Sequence, residues 1–107
     1  MARTIIRKKY SGNMEDAKKK VETILSQNGF HEKTIKTGEI VWKKGTGMMT
    51  AMQYIKTEFL EGELVLSGWV QAGLGSVGLS EMELTGFVAA IPKKSTMKVI
   101  NQIQNSL

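Results

Sequence analysis

Residues Met52 to Gln71 constrain the fold more than any other stretch, because two runs of alternating residues flank a single turn signal, Leu60-Glu61-Gly62-Glu63. With Glu61 and Gly62 as the central pair, Gly62 supplies the positive φ that a tight hairpin needs. The antiparallel register follows: Phe59 opposes Leu64, Thr57 opposes Leu66, Ile55 opposes Gly68 and Gln53 opposes Val70. These pairs make a mostly apolar face. On the other face Glu58 meets Val65, Lys56 meets Ser67 and Tyr54 meets Trp69, a half-wet surface with two large rings among charges. A slip of one residue would exchange the two faces.

The same alternation reads Thr4 to Tyr10 as a first strand. From Asn13 the period changes to that of a helix, with Met14, Ala17, Val21, Ile24 and Leu25 on one stripe, Asn13 as N-cap and Gly29 as terminator. Lys18, Lys19 and Lys20 lie off this stripe, and Lys19 and Lys20 stand four residues after Glu15 and Asp16, which accounts for the lysine run as a solvated helix face. Phe30 to Thr37 and Glu39 to Lys44 predict a second hairpin around Thr37-Gly38, with Ile35 opposite Ile40, Thr34 opposite Val41 and Lys33 opposite Trp42. Gly45-Thr46-Gly47 breaks the sheet before the long hairpin, whose first strand is read from Met49. Beyond it, Gly73 to Gly78 reads as a loop and Glu81 to Ala90 as a short last strand interrupted by Gly86. Pro92 marks the switch to a closing helix with Met97, Ile100, Ile103 and Leu107 on its apolar stripe.

Two amphipathic helices and a run of antiparallel strands give an α+β fold. It is a single-layer, mostly antiparallel sheet of five to six strands in the order β-α-β-β-β-β-(β)-α, both helices packed on one face, in the manner of helix-grip or TATA-binding-protein-like architectures. At 107 residues the chain reads as one domain, 1–107, large enough to bury a core without staples. The absence of cysteine excludes disulfides and thiolate chemistry and suits a reducing cytoplasm. The first ten residues lack the sustained apolar core of a signal peptide, and no stretch is long and apolar enough to span a bilayer, so a cytoplasmic location is expected.

Catalytic signatures are weak. Gly73-x-Gly75-x-x-Gly78 matches a dinucleotide-binding pattern in letters, yet no helix opens after the third glycine and no parallel strand follows. His31 is the one histidine, which is too few for a histidine-rich metal site, and no serine sits in a nucleophile setting. The pairs Glu61/Glu63 and Glu81/Glu83 read as solvated edges. The reading is therefore noncatalytic, with no cofactor and no metal. Lys93 and Lys94 follow Pro92 at a helix start, where the dipole disfavours cations; either Ser95 caps the helix and leaves both lysines outside it, or the pair binds an anion.

The segment Ser80-Glu-Met-Glu-Leu-Thr-Gly86-Phe-Val-Ala-Ala-Ile91-Pro-Lys-Lys94, together with Tyr54-Ile-Lys56 and Trp69-Val70, resembles a family of small uncharacterised proteins and domains from Gram-positive bacteria. The resemblance covers most of the chain. It implies a bacterial, cytoplasmic, noncatalytic protein and brings no activity or cofactor with it.

Three functional readings follow. The first is an interaction module that binds a protein partner or a second copy of itself through the open sheet face, with Trp42, Tyr54, Lys56 and Trp69 as candidate contacts. The second is a carrier of a small apolar molecule between the curved sheet and the closing helix, in a cavity lined by Met49, Phe59, Leu66, Phe87, Ile100 and Ile103. Third comes weak nucleic-acid or polyanion binding by the basic half of the chain, since residues 1–45 hold eleven Lys/Arg against five acids while residues 46–107 hold four against five. The basic residues are scattered over several elements without a nucleic-acid motif, which ranks that reading last.

Overall fold

The computed structural model describes residues 3–45, 52–71, 81–82 and 90–107. Eight elements follow one another: β1 (Thr4–Lys9), α1 (Met14–Gln27), β2 (His31–Thr34), β3 (Ile40–Lys44), β4 (Met52–Leu60), β5 (Glu63–Gln71), β6 (Glu81–Met82) and α2 (Ala90–Ser106). The fold is α+β. An open antiparallel sheet runs in the order β1-β5-β4-β3-β2, and the short β6 pairs with the far end of β5. Among the described residues no helix is long and apolar enough to cross a membrane.

The β4–β5 hairpin has the register that its alternation predicts, with Phe59 opposite Leu64, Ile55 opposite Gly68 and Tyr54 opposite Trp69. Gly62 sits in the turn at φ +74°, a conformation that glycine adopts without steric cost. On one face of this hairpin Ile55, Leu64, Leu66 and Val70 join Val21, Ile24 and Leu25 of α1 and Val99, Ile100 and Ile103 of α2 in a single buried cluster. Both helices therefore cover the same face; α2 lies over β4 and β5, and α1 packs against α2. A polar pair is buried in this layer, the Thr96 hydroxyl donating to Gln53 Oε1 at 2.9 Å, which satisfies a hydroxyl that α2 carries onto the sheet.

Helix α1 begins and ends where its sequence signals stand. Asn13 Oδ1 accepts from the Glu15 amide at 2.7 Å, and Glu15 and Asp16 place negative charge in the first turn. At the other end Gly29, at φ +86°, lets the Phe30 amide reach the Leu25 carbonyl (3.0 Å) and its own amide reach that of Ser26 (3.1 Å). This double closure is a Schellman cap.

Three expectations are corrected. The β2–β3 register is offset by one residue: Thr34 opposes Ile40, Lys33 opposes Val41 and Glu32 opposes Trp42. The turn takes three residues, Lys36-Thr37-Gly38, closed by Ile35 N–H to Glu39 O and Gly38 N–H to Ile35 O, both 2.9 Å, with Gly38 at φ +89°. A two-residue turn through Thr37-Gly38 would need positive φ at a β-branched threonine, whereas the longer loop needs it only at glycine. Second, Trp42 pairs with Ile55 and packs against the helix-side cluster, so it does not share the face of Tyr54 and Trp69. Third, α2 starts at Ala90 instead of after Ser95, which puts Pro92, Lys93 and Lys94 inside its first turns. Proline is tolerated there because the first-turn amides have no intrahelical acceptor. Of the strand expected over 81–90, Glu81–Met82 is strand and residues 83–89 lie outside the described residues, as do Met49, Phe87 and the Gly73 to Gly78 loop.

Candidate functional site

Alternation along β4 and β5 sends Tyr54 and Trp69 to the face that the helices leave uncovered. The two rings stack with centroids 5.3 Å apart and planes inclined by 10°. They are nonetheless buried, at 5% and 1% exposure. The half-wet surface expected here is instead a second, smaller core in which Val41, Tyr54 and Trp69 are joined by the partly buried Ile35 and Met52. The Tyr54 hydroxyl reaches Met52 Sδ at 3.5 Å.

Charge covers what a helix would otherwise cover. Because Thr4 opposes Gly68 in the β1–β5 pairing, Arg3, one residue earlier, falls beside Trp69, and its guanidinium carbon lies 3.8 Å from the centre of that ring. From there the guanidinium reaches across to Glu39 at the start of β3, donating from Nη1 to Oε2 and from Nη2 to Oε1, each at 3.0 Å. Lys56 Nζ donates to the same Oε2 at 2.8 Å, and the Thr37 hydroxyl donates to Oε1 at 2.7 Å. Arg3, then Lys56, then Thr37 hold the Glu39 carboxyl well below the usual carboxylate range, against the opposing effect of burial. The Lys56 ammonium is held above its ordinary range, chiefly by Glu39. This network ties the β1 edge to the β2–β3 hairpin over the rings.

The cover is not continuous. Beside the stacked rings opens a groove of about 360 Å³, walled by residues 33–37 of β2 and its turn and floored by Met52, Tyr54, Trp69 and Gln71. Lys33, Thr34, Lys36 and Thr37 are among the residues of its wall. Lys43 stands next to it, opposite Tyr54 in register, and its ammonium is pushed down by burial and by Lys33 close beside it. Among the described residues no group of three or more His, Asp or Glu side chains is gathered as a metal site would need.

The candidate residues are thus redistributed. Tyr54, Lys56 and Trp69 come together, with Lys56 in the network that covers the rings, while Trp42 lies on the opposite face. Leu66, Ile100 and Ile103 are fully buried in the main core with Phe59 packed against them, so the described part of the expected cavity wall is core. Lys93 is buried and Lys94 exposed, so the two do not present one surface. Sequence reasoning counted Arg3 only in the basic half of the chain and did not place Glu39, Ile35, Lys33 or Lys36 at this site. Arg3 had a usable signal, since its parity on β1 matches that of Trp69 once β1 is paired with β5. No protein family, curated protein or solved structure matches the chain, so its geometry is what bears on its function.

Proposed function

We propose that the chain is a noncatalytic binding module and that its site is the groove beside the Tyr54–Trp69 stack. The supporting observation is a groove of about 360 Å³ with an aromatic floor, lying outside the main core and held open between a hairpin and an ion-pair network. That volume is at the small end of the range for small-molecule pockets, roughly 300–1,000 Å³. The small-molecule reading is therefore kept, and its site moves from beneath α2 to the other face of the sheet. The module is proposed to work in a cytoplasm, in keeping with a fold that uses no disulfide.

The test is an amide chemical-shift titration with a neutral two-ring probe, 1-naphthamide, read alongside Trp69 emission in Trp42→Phe, which leaves Trp69 as the single tryptophan of the two in the chain. Saturable shifts confined to residues 33–37, 52–54 and 69–71 are expected. Saturable shifts centred elsewhere, or none up to millimolar probe, would sink the reading.

A second reading, self-association, is favoured by β2, an edge strand whose four residues His31–Thr34 are all exposed. Light scattering at rising concentration decides it: a dimer that Thr34→Pro dissolves supports pairing through this edge, and a monomer at every concentration rejects it.

A further inference from the structure

The groove carries a chemical asymmetry that a purely apolar ligand would leave unused. Its floor is apolar and aromatic apart from Gln71, whereas its wall holds Lys33 and Lys36 and, among the described residues lining it, no acid. Lys33 opposes Val41 and Lys43 opposes His31, so Lys33 and Lys43 are diagonal neighbours on one sheet face. Diagonal neighbours are within reach of each other when their side chains are long, and two ammonium groups that close repel. An edge lysine often guards a strand against pairing with another chain, which accounts for Lys33. It does not account for Lys43, which is half-buried on β3 inside the sheet.

Two acids close to the lysines, Glu39 and Glu32, do not neutralise these amines. Glu39 has both oxygens engaged by Arg3, Lys56 and Thr37. Glu32 opposes Trp42 and so belongs to the other face. His31, across from Lys43, adds no negative charge. The one nearby arginine is committed to Glu39 and Trp69, which leaves lysines, point charges without a planar fork, as the cations at the groove.

We propose that the groove binds a small organic carboxylate with a flat apolar body, the carboxylate seated between Lys33 and Lys43 within reach of Lys36, and the body lying against Tyr54 and Trp69. This inference rests on the groove being a ligand site. Its volume suits a body of one or two rings. The carboxylate relieves the lysine–lysine repulsion, while the ring-bearing part gains contact with a floor that is already preorganised by the Arg3–Glu39 network.

The experiment compares 1-naphthoate with its neutral isostere 1-naphthamide by amide chemical-shift titration. At low ionic strength the carboxylate is expected to bind about tenfold more tightly, the order that two or three half-exposed ion pairs supply. The advantage shrinks as salt shortens the screening length. In Lys33→Met/Lys43→Met the ratio of naphthoate to naphthamide affinity falls to about one, whatever the change in naphthamide binding itself, and Lys33→Arg retains most of the preference. Equal binding of the two probes, or undiminished naphthoate preference in the double variant, overturns the carboxylate while leaving the groove. Failure of both probes overturns the groove and this inference with it. Lys33 is exposed on β2 and Lys43 half-buried on β3, and Lys36→Met in the turn gives an independent variant should the double one fold poorly.

Discussion

On the helix side of the β4–β5 hairpin, Leu64, Leu66 and Val70 vanish beneath α2 among other aliphatic side chains, whereas on the far side Tyr54 and Trp69 vanish almost as completely beneath an arginine and the fold of a hairpin. The two layers reach similar burial by different physics. Aliphatic packing is non-directional and fills space, so the helix side closes as one cluster. A guanidinium over an indole and a carboxylate shared by three donors are directional, and they close the surface only where their geometry points. The groove is the remainder of that discrete cover.

The comparison breaks first at Trp69. If the far side is a genuine second core, Trp69→Ala should destabilise by about 3–5 kcal/mol, comparable with about 2–5 kcal/mol for Leu66→Ala in the main core. Urea unfolding of both variants reads this directly. A loss below about 1 kcal/mol at Trp69, with the full loss at Leu66, would show that the rings only decorate the sheet.

Glu39 gives the next effect. Glu39→Gln leaves Arg3 and Lys56 facing an amide, and a loss of about 1.5–3 kcal/mol is expected, as for hydrogen bonds to charged groups. The sign with pH follows from the lowered carboxyl. Unfolding releases Glu39 to its ordinary value of 4.5, so the unfolded chain binds the proton more readily and the stabilisation is full above that pH and drains away as pH falls towards the much lower folded value. The gap between the parent chain and Glu39→Gln should therefore narrow steadily in acid below about pH 4.5 and stay constant from there to neutrality. A gap independent of pH across that window would mean that the network contributes no charge-dependent stability.

The same contrast explains what could be read from the chain beforehand. The β4–β5 register was legible because period-two alternation runs through both strands and a Glu-Gly turn pins them together. In the β2–β3 hairpin the alternation is weak, since all four β2 residues are exposed, and turn length alone decides the register; one extra loop residue shifted it. Helix-side core residues announced themselves by period. The ion-pair cover did not, because Arg3 and Glu39 lie 36 residues apart and meet only through the pairing of β1 with β5, which no local pattern encodes. Cover by charge leaves no periodic signature, which is why Tyr54 and Trp69 read as surface and the groove did not read at all. Pro92 misled for a related reason: it is permitted throughout the first helical turn, so it places a helix start only to within several residues.

Arg7 supplies the smallest effect and the sharpest control on the charge argument. Like Arg3, which stands one residue before β1, it belongs to the open face and pairs with a glutamate of its own, its Nη1 lying 2.9 Å from Glu63 Oε1 against 3.0 Å for the closest Arg3–Glu39 approach. Distance alone would rank the two pairs equal. Their surroundings differ: the Arg7 side chain is 62% exposed and the Arg3 side chain 12%. An exposed pair is screened and has only a single tooth of the guanidinium engaged here, whereas Arg3 is bidentate, shielded and seated on a ring. Arg7→Ala should therefore change stability by no more than about 0.5 kcal/mol at moderate salt. Chemical denaturation of Arg7→Ala beside Arg3→Ala separates the explanations. If Arg7→Ala costs as much as Arg3→Ala, the open face is held by ion pairing in general; if it costs almost nothing, what closes that face is the one arginine that sits on Trp69.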